Sequence, residues 1–119
     1  MTAAAEFEPI YVRACSVAAL RDESAIGVVL RAPGSSASDD VPICLVKTHG
    51  EVFAISDICS HADVNLSDGE VDSGTVECWL HGSRFDVRTG NPTGLPANRP
   101  VPTYPVKIDG DDVLVAVKE

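Results

Sequence analysis

Short apolar runs rich in valine, isoleucine and leucine recur along the chain, each closed off by glycine, proline or small polar residues. That rhythm is the mark of β-strands joined by turns. It predicts strands at Tyr11–Val17, Ile26–Arg31, Val41–Lys47, Val52–Ser56, Thr75–Cys78, Arg84–Val87, Val101–Ile108 and Val113–Val117. His49-Gly50 and Asp109-Gly110 each lie between two apolar runs and predict hairpin turns, because glycine tolerates the positive φ such turns need. One helical turn fits near Ser16–Glu23, and the breaker-rich stretch Ala32–Asp40 predicts a loop. Two long irregular stretches interrupt the pattern, Asp57–Gly74 and Thr89–Pro100. Loops of that length in a compact domain carry function or are disordered.

Length and composition narrow the picture. With 119 residues the chain is one domain, 1–119, with no room for a separate catalytic domain. Helix formers are scattered while 9 Gly and 8 Pro punctuate the runs, so the fold class is all-β. No apolar run approaches the roughly 18 residues of a membrane helix. The segment Met1–Ile10 carries Glu6 and Glu8 where a signal peptide would be basic, which points to a cytoplasmic protein with no membrane partner. A formal net charge of −9, from 18 acidic and 9 basic residues, argues against binding nucleic acid or anionic lipid. It suits a basic protein partner, or equally a soluble monomer. The charge is uneven: Asp57–Glu77 holds six acids and no Lys or Arg, whereas Arg84–Lys107 holds four bases against Asp86.

Candidate chemistry sits in the irregular stretches. The chain reads Cys59-Ser60-His61, then sixteen residues, then Cys78-Trp79-Leu80-His81. Two thiolates and two imidazoles make a four-ligand set for zinc or for an iron–sulfur cluster. In a zinc finger the cysteines form one close pair and the histidines another. Here each pair is mixed, which suits two loop tips pinching a two-iron cluster, one Cys from each on one iron and one His from each on the other. Cys15 and Cys44 lie in strand-like apolar surroundings and read as buried structural thiols, with a disulfide between them as the alternative. A secreted chain with two disulfides is the competing reading of four cysteines, weakened by the acidic start.

These residues resemble the Rieske ferredoxins, whose pattern Cys-x-His, some fifteen to seventeen residues, Cys-x-x-His-Gly appears here as CSH and CWLHG. The similarity runs on through Arg88-Thr89-Gly90 and Gly94-Leu95-Pro96 to Tyr104-Pro105-Val106, covering the chain from about Val41 to the end. It implies a Rieske fold, an antiparallel β-sandwich base from segments 7–56 and 100–119, with a small cluster-binding β subdomain, about 57–99, inserted between them. It implies one [2Fe-2S] cluster per chain, Cys59 and Cys78 on the iron that stays ferric and His61 and His81 on the iron that is reduced. Neighbouring residues acquire expected roles. Gly82 turns the backbone past His81, Leu95 and Pro96 shield the cluster from water, and Trp79 covers the cluster, serves a partner or packs in the core. Ser83 stands where high-potential relatives place a hydroxyl on a bridging sulfide, and Phe85 where they place a Tyr hydroxyl on a thiolate. The extra loop cysteines of the respiratory proteins are absent, so no disulfide ties the ligand loops together.

The implied function is one-electron transfer. The resemblance is strongest to the ferredoxin components of bacterial aromatic-ring-hydroxylating dioxygenase systems, with a flavin-dependent ferredoxin reductase as donor and an oxygenase or other redox acceptor as partner. An oxygenase's mononuclear iron would need two further histidines, and only His49 remains once His61 and His81 are used. The chain is therefore expected to carry electrons and not to be an enzyme. The alternatives are a Rieske protein of iron–sulfur cluster assembly and an accessory binding module with a structural metal.

Overall fold

The unbroken apolar run from Val41 to Val46 can form a strand only if both of its faces are covered. In the computed structural model, which describes residues 10–31, 34, 40–60, 64–80, 82–94 and 99–118, that run begins β3 (Val41–Thr48). Ile43 and Leu45 face one core, together with Ala54, Val113 and Val115. Cys44 and Val46 face another, together with Ile55, Cys59, Leu66, Cys78 and Phe85. The period of two along a strand thus divides alternate side chains between two cores.

Three antiparallel sheets surround those cores. A three-stranded sheet has the order β1 (Ile10–Ser16), β10 (Asp112–Lys118), β9 (Val106–Asp109). A four-stranded sheet has the order β2 (Ser24–Leu30), β3, β4 (Glu51–Ser56), β8 (Thr103–Tyr104). These two sandwich the first core. The third sheet, β5 (Val71–Asp72), β6 (Thr75–Glu77) and β7 (Arg84–Asp86), is small and packs on the second core. The all-β antiparallel architecture expected from the sequence is present. No helix among the described residues is long and apolar enough to cross a membrane.

Several boundaries differ from expectation for physical reasons. Val101–Ile108 is not one strand. Thr103 and Tyr104 pair with Ile55 and Ala54 in β4, whereas Val106–Asp109 pairs with β10. Pro105 marks the switch: it has no N–H to continue a ladder, and its carbonyl accepts from Ala116 N at 3.0 Å. Asp57–Gly74 is not wholly irregular, since it contains a 3-10 turn at Leu66–Asp68 and strand β5. The His49-Gly50 turn lies where expected, with Thr48 opposite Glu51. The other hairpin turns at Gly110-Asp111, one residue later than expected, with Asp109 opposite Asp112. The helical turn near Ser16–Glu23 is a 3-10 turn at Val17–Ala19. Most of the Ala32–Asp40 stretch lies outside the described residues.

Candidate metal centre

The first ligand loop leaves β4 at Asp57 and closes on itself. Cys59 N donates to Val64 O at 3.0 Å, Leu66 N donates to Asp57 O at 2.6 Å, and Ile58 bridges Asn65. The result is a narrow antiparallel finger with Cys59 in its stem. At its base the buried Asp57 carboxylate accepts from Ser67 N at 2.7 Å and from Ser67 Oγ at 2.9 Å. Burial pushes the Asp57 carboxyl above the ordinary range, while the two Ser67 donors pull it back. Ser60, between Cys59 and His61 in sequence, donates through Oγ to Arg99 O at 2.7 Å and so ties this loop to the second irregular stretch.

The second ligand loop is tighter. Gly82 N donates to Cys78 O at 2.8 Å, and Cys78 N donates to Ser83 O at 2.6 Å. Gly82 has φ +78, and a Cβ there would meet no atom closer than Glu77 Oε2 at 3.7 Å. Backbone conformation, not space, is what demands glycine. Gly69 shows the opposite case, since a Cβ there would lie 1.6 Å from Glu77 O, so the first loop passes backbone-close beneath the strand leading to Cys78.

Cys59 is 4% exposed and Cys78 is fully buried, and both belong to the same core. His61, His81, Leu95 and Pro96 lie outside the described residues. Among the described residues no three His, Cys, Asp or Glu groups are placed to hold a metal ion. The described half of the expected donor set is therefore the two thiols. Bare thiolates would be costly in such apolar surroundings. Two ferric ions, two sulfides and two thiolates sum to zero charge, so these residues fit an oxidised two-iron centre.

The neighbours sharpen or correct the expectations. Phe85 is fully buried in the core that holds both cysteines. Ser83 is 1% exposed, so its hydroxyl does not face solvent. Trp79 is 51% and Leu80 44% exposed, which removes the core-packing reading of Trp79: the turn carries both side chains outward, away from the buried Cys78. Cys44 is buried as expected, and burial pushes its thiol far up. Cys15 is only half-buried, because β1 is an edge strand, and it packs on the other core from Cys44. Both are free thiols, so the alternative of a disulfide between them fails. Asp57 and its partner Ser67 had no signal in the sequence beyond one acid among six.

Two closed loops deliver one buried cysteine each to a shared core on a base of antiparallel sheets, an arrangement that fits an iron–sulfur electron carrier. The chain belongs to the Rieske [2Fe-2S] domain family, which matches residues 14–105. It is 51% identical over 74 residues to the ferredoxin component of biphenyl 2,3-dioxygenase from Rhodococcus jostii (strain RHA1), a match covering 62% of this chain and 69% of that one. It is 42% identical over 78 residues to the 3-phenylpropionate/cinnamic acid dioxygenase ferredoxin subunit of Escherichia coli (strain K12), covering 65% and 74% respectively. Its structure is similar to the ferredoxin of carbazole 1,9a-dioxygenase from Nocardioides aromaticivorans IC177, with a TM-score of 0.74 and 37% identity over 89% of this chain and 96% of that one. The Rieske fold and one [2Fe-2S] cluster expected from the sequence are borne out, and with them one-electron transfer.

Proposed function

We propose that Cys59, His61, Cys78 and His81 hold the cluster, and that the chain carries single electrons from a flavin-dependent reductase to the terminal oxygenase of an aromatic-ring dioxygenase system. The carrying observation is the convergence of Cys59 and Cys78, each at the stem of a hydrogen-bonded loop, in one buried core. When bound, the cluster supplies reversible one-electron chemistry. The protein's own residues fix the two thiols, exclude water from them and present a short route outward. Trp79 and Leu80, exposed beside Cys78, form the apolar contact for the acceptor. Residues 57–99 act as the cluster-binding unit on a base of 7–56 and 100–119. The chain works as a cytoplasmic monomer and transforms no substrate itself. The relatives' names favour a dioxygenase pathway over cluster assembly.

The test is a reconstituted assay with purified reductase and oxygenase components of a dioxygenase system. Product formation and reductant consumption should both depend on this chain. A protein that is redox-silent, or that carries stoichiometric zinc after growth with adequate iron and sulfide, identifies the accessory module instead.

A further inference from the structure

We infer that Asp57 is a positioning residue for the first ligand loop whose carboxylate, a fixed negative charge beneath that loop, holds the midpoint potential of the centre down. This rests on Cys59 being a cluster ligand, as proposed above.

Asp57 is 3% exposed, and the other buried polar side chains among the described residues, Thr48 and Ser83, are neutral. Every polar group it carries is engaged. Its N–H donates to Pro42 O at 3.0 Å and its carbonyl accepts from Leu66 N at 2.6 Å. Its two carboxylate oxygens accept separately, one from Ser67 N and one from Ser67 Oγ. With Ser67 N and Oγ both donating, the two oxygens act as acceptors, an arrangement that holds an anion against the upward push of burial on this carboxyl. The four bonds join β3, the end of β4 and the 3-10 turn at Leu66–Asp68, which is the closure of the finger bearing Cys59.

The opposing strand makes room for this pair. At Gly27 in β2 a Cβ would lie 2.6 Å from Ser67 Oγ and 2.8 Å from Asp57 Oδ2. Among the described residues the salt bridges join other groups and leave Asp57 with neutral donors only. Loop closure alone does not require charge, because an asparagine carbonyl would accept the Ser67 N–H equally well and bury more cheaply. What the charge adds is a field. Two residues from Cys59, in surroundings of low dielectric, it opposes arrival of an electron.

The experiment compares Asp57→Asn and Ser67→Ala with wild type by voltammetry at fixed pH, alongside iron and sulfide content and the spectrum of the reduced protein. Asp57→Asn removes the charge and keeps an acceptor, so its midpoint should rise. Ser67→Ala keeps the charge and strips one donor from it, so its midpoint should fall. Amide exchange at Cys59 and Leu66 should quicken in Ser67→Ala and in Gly27→Ala, which crowds the same pair. A purely structural role predicts shifts of the same sign in both midpoints, and that result, or two unmoved midpoints, overturns the tuning role. Unchanged exchange in both loosened variants overturns the positioning role. Should Asp57→Asn fail to take up iron, Ser67→Ala decides alone: a lowered midpoint supports the inference and an unmoved or raised one ends it. A wild-type protein with no [2Fe-2S] signal instead refutes the underlying ligand assignment.

Discussion

Ser83 is held beside Cys78 by the bond from Cys78 N to Ser83 O and is cut off from solvent. If that hydroxyl donates to a cluster sulfur, as proposed, the bond strengthens as the sulfur becomes more negative and favours the reduced form. Ser83→Ala should therefore lower the midpoint by tens of millivolts, since about 59 mV corresponds to a tenfold change for a one-electron couple. Phe85→Tyr should raise it, because the ring is buried in the core that contains both cysteines. Voltammetry of both variants at one pH checks this, and an unmoved or raised midpoint for Ser83→Ala contradicts it. The proposed ligand set could be read from the sequence because four chemically distinctive residues fall at fixed offsets. Asp57 was not, because its role comes from burial and from meeting Ser67, ten positions away, and composition registers neither.

At the scale of elements, three turns meet on one side chain. Glu23, His49 and Ser73 have φ values of +57, +54 and +51, and they are the non-glycine residues in left-handed conformation among those described. The Glu23 carboxylate accepts from Thr48 Oγ1 at 2.6 Å, His49 N at 3.2 Å and Ser73 N at 3.1 Å. It thereby latches the β5–β6 turn to the β3–β4 turn. These bonds, with Thr48 foremost, hold its carboxyl below the ordinary Glu range against a smaller opposing effect of burial. A group whose folded pKa is depressed stabilises the protein fully above its unfolded value and loses that contribution as pH falls through the folded one. Glu23→Gln should accordingly lower Tm at neutral pH, and the gap from wild type should close as the solution is taken below the ordinary Glu range. A gap independent of pH contradicts the latch. The sequence showed the His49-Gly50 turn because it lies between two long apolar runs. It hid Ser73-Gly74, whose flanking strands β5 and β6 are two and three residues long, and it fused β8 with β9 because Pro105 interrupts hydrogen bonding without interrupting apolar character.

Taken as a whole molecule, the chain carries a net charge of −9 and exposes Trp79 and Leu80 in the loop that follows Cys78. On the proposed reading, long-range attraction to a basic acceptor surface would bring the partners together and the apolar contact would set the final distance. Electron-transfer rates with an oxygenase should fall as ionic strength rises toward physiological, where exposed charges more than about 8 Å apart are largely screened from one another. Rates that stay flat or increase point to apolar docking alone. Trp79→Ala should slow transfer several-fold and leave the midpoint within a few tens of millivolts of wild type, near the low end of the Rieske range at about −150 mV. The run Val41–Val46 lacks alternation and so requires cover on both faces, which the two cores provide. The central claim is mixed Cys and His ligation, and pulsed electron paramagnetic resonance of the dithionite-reduced wild-type protein tests it most directly. The expected result is a rhombic signal with two strongly coupled imidazole nitrogens and two irons per chain; a signal without coupled nitrogen, or no iron signal from fully reconstituted protein, would contradict it.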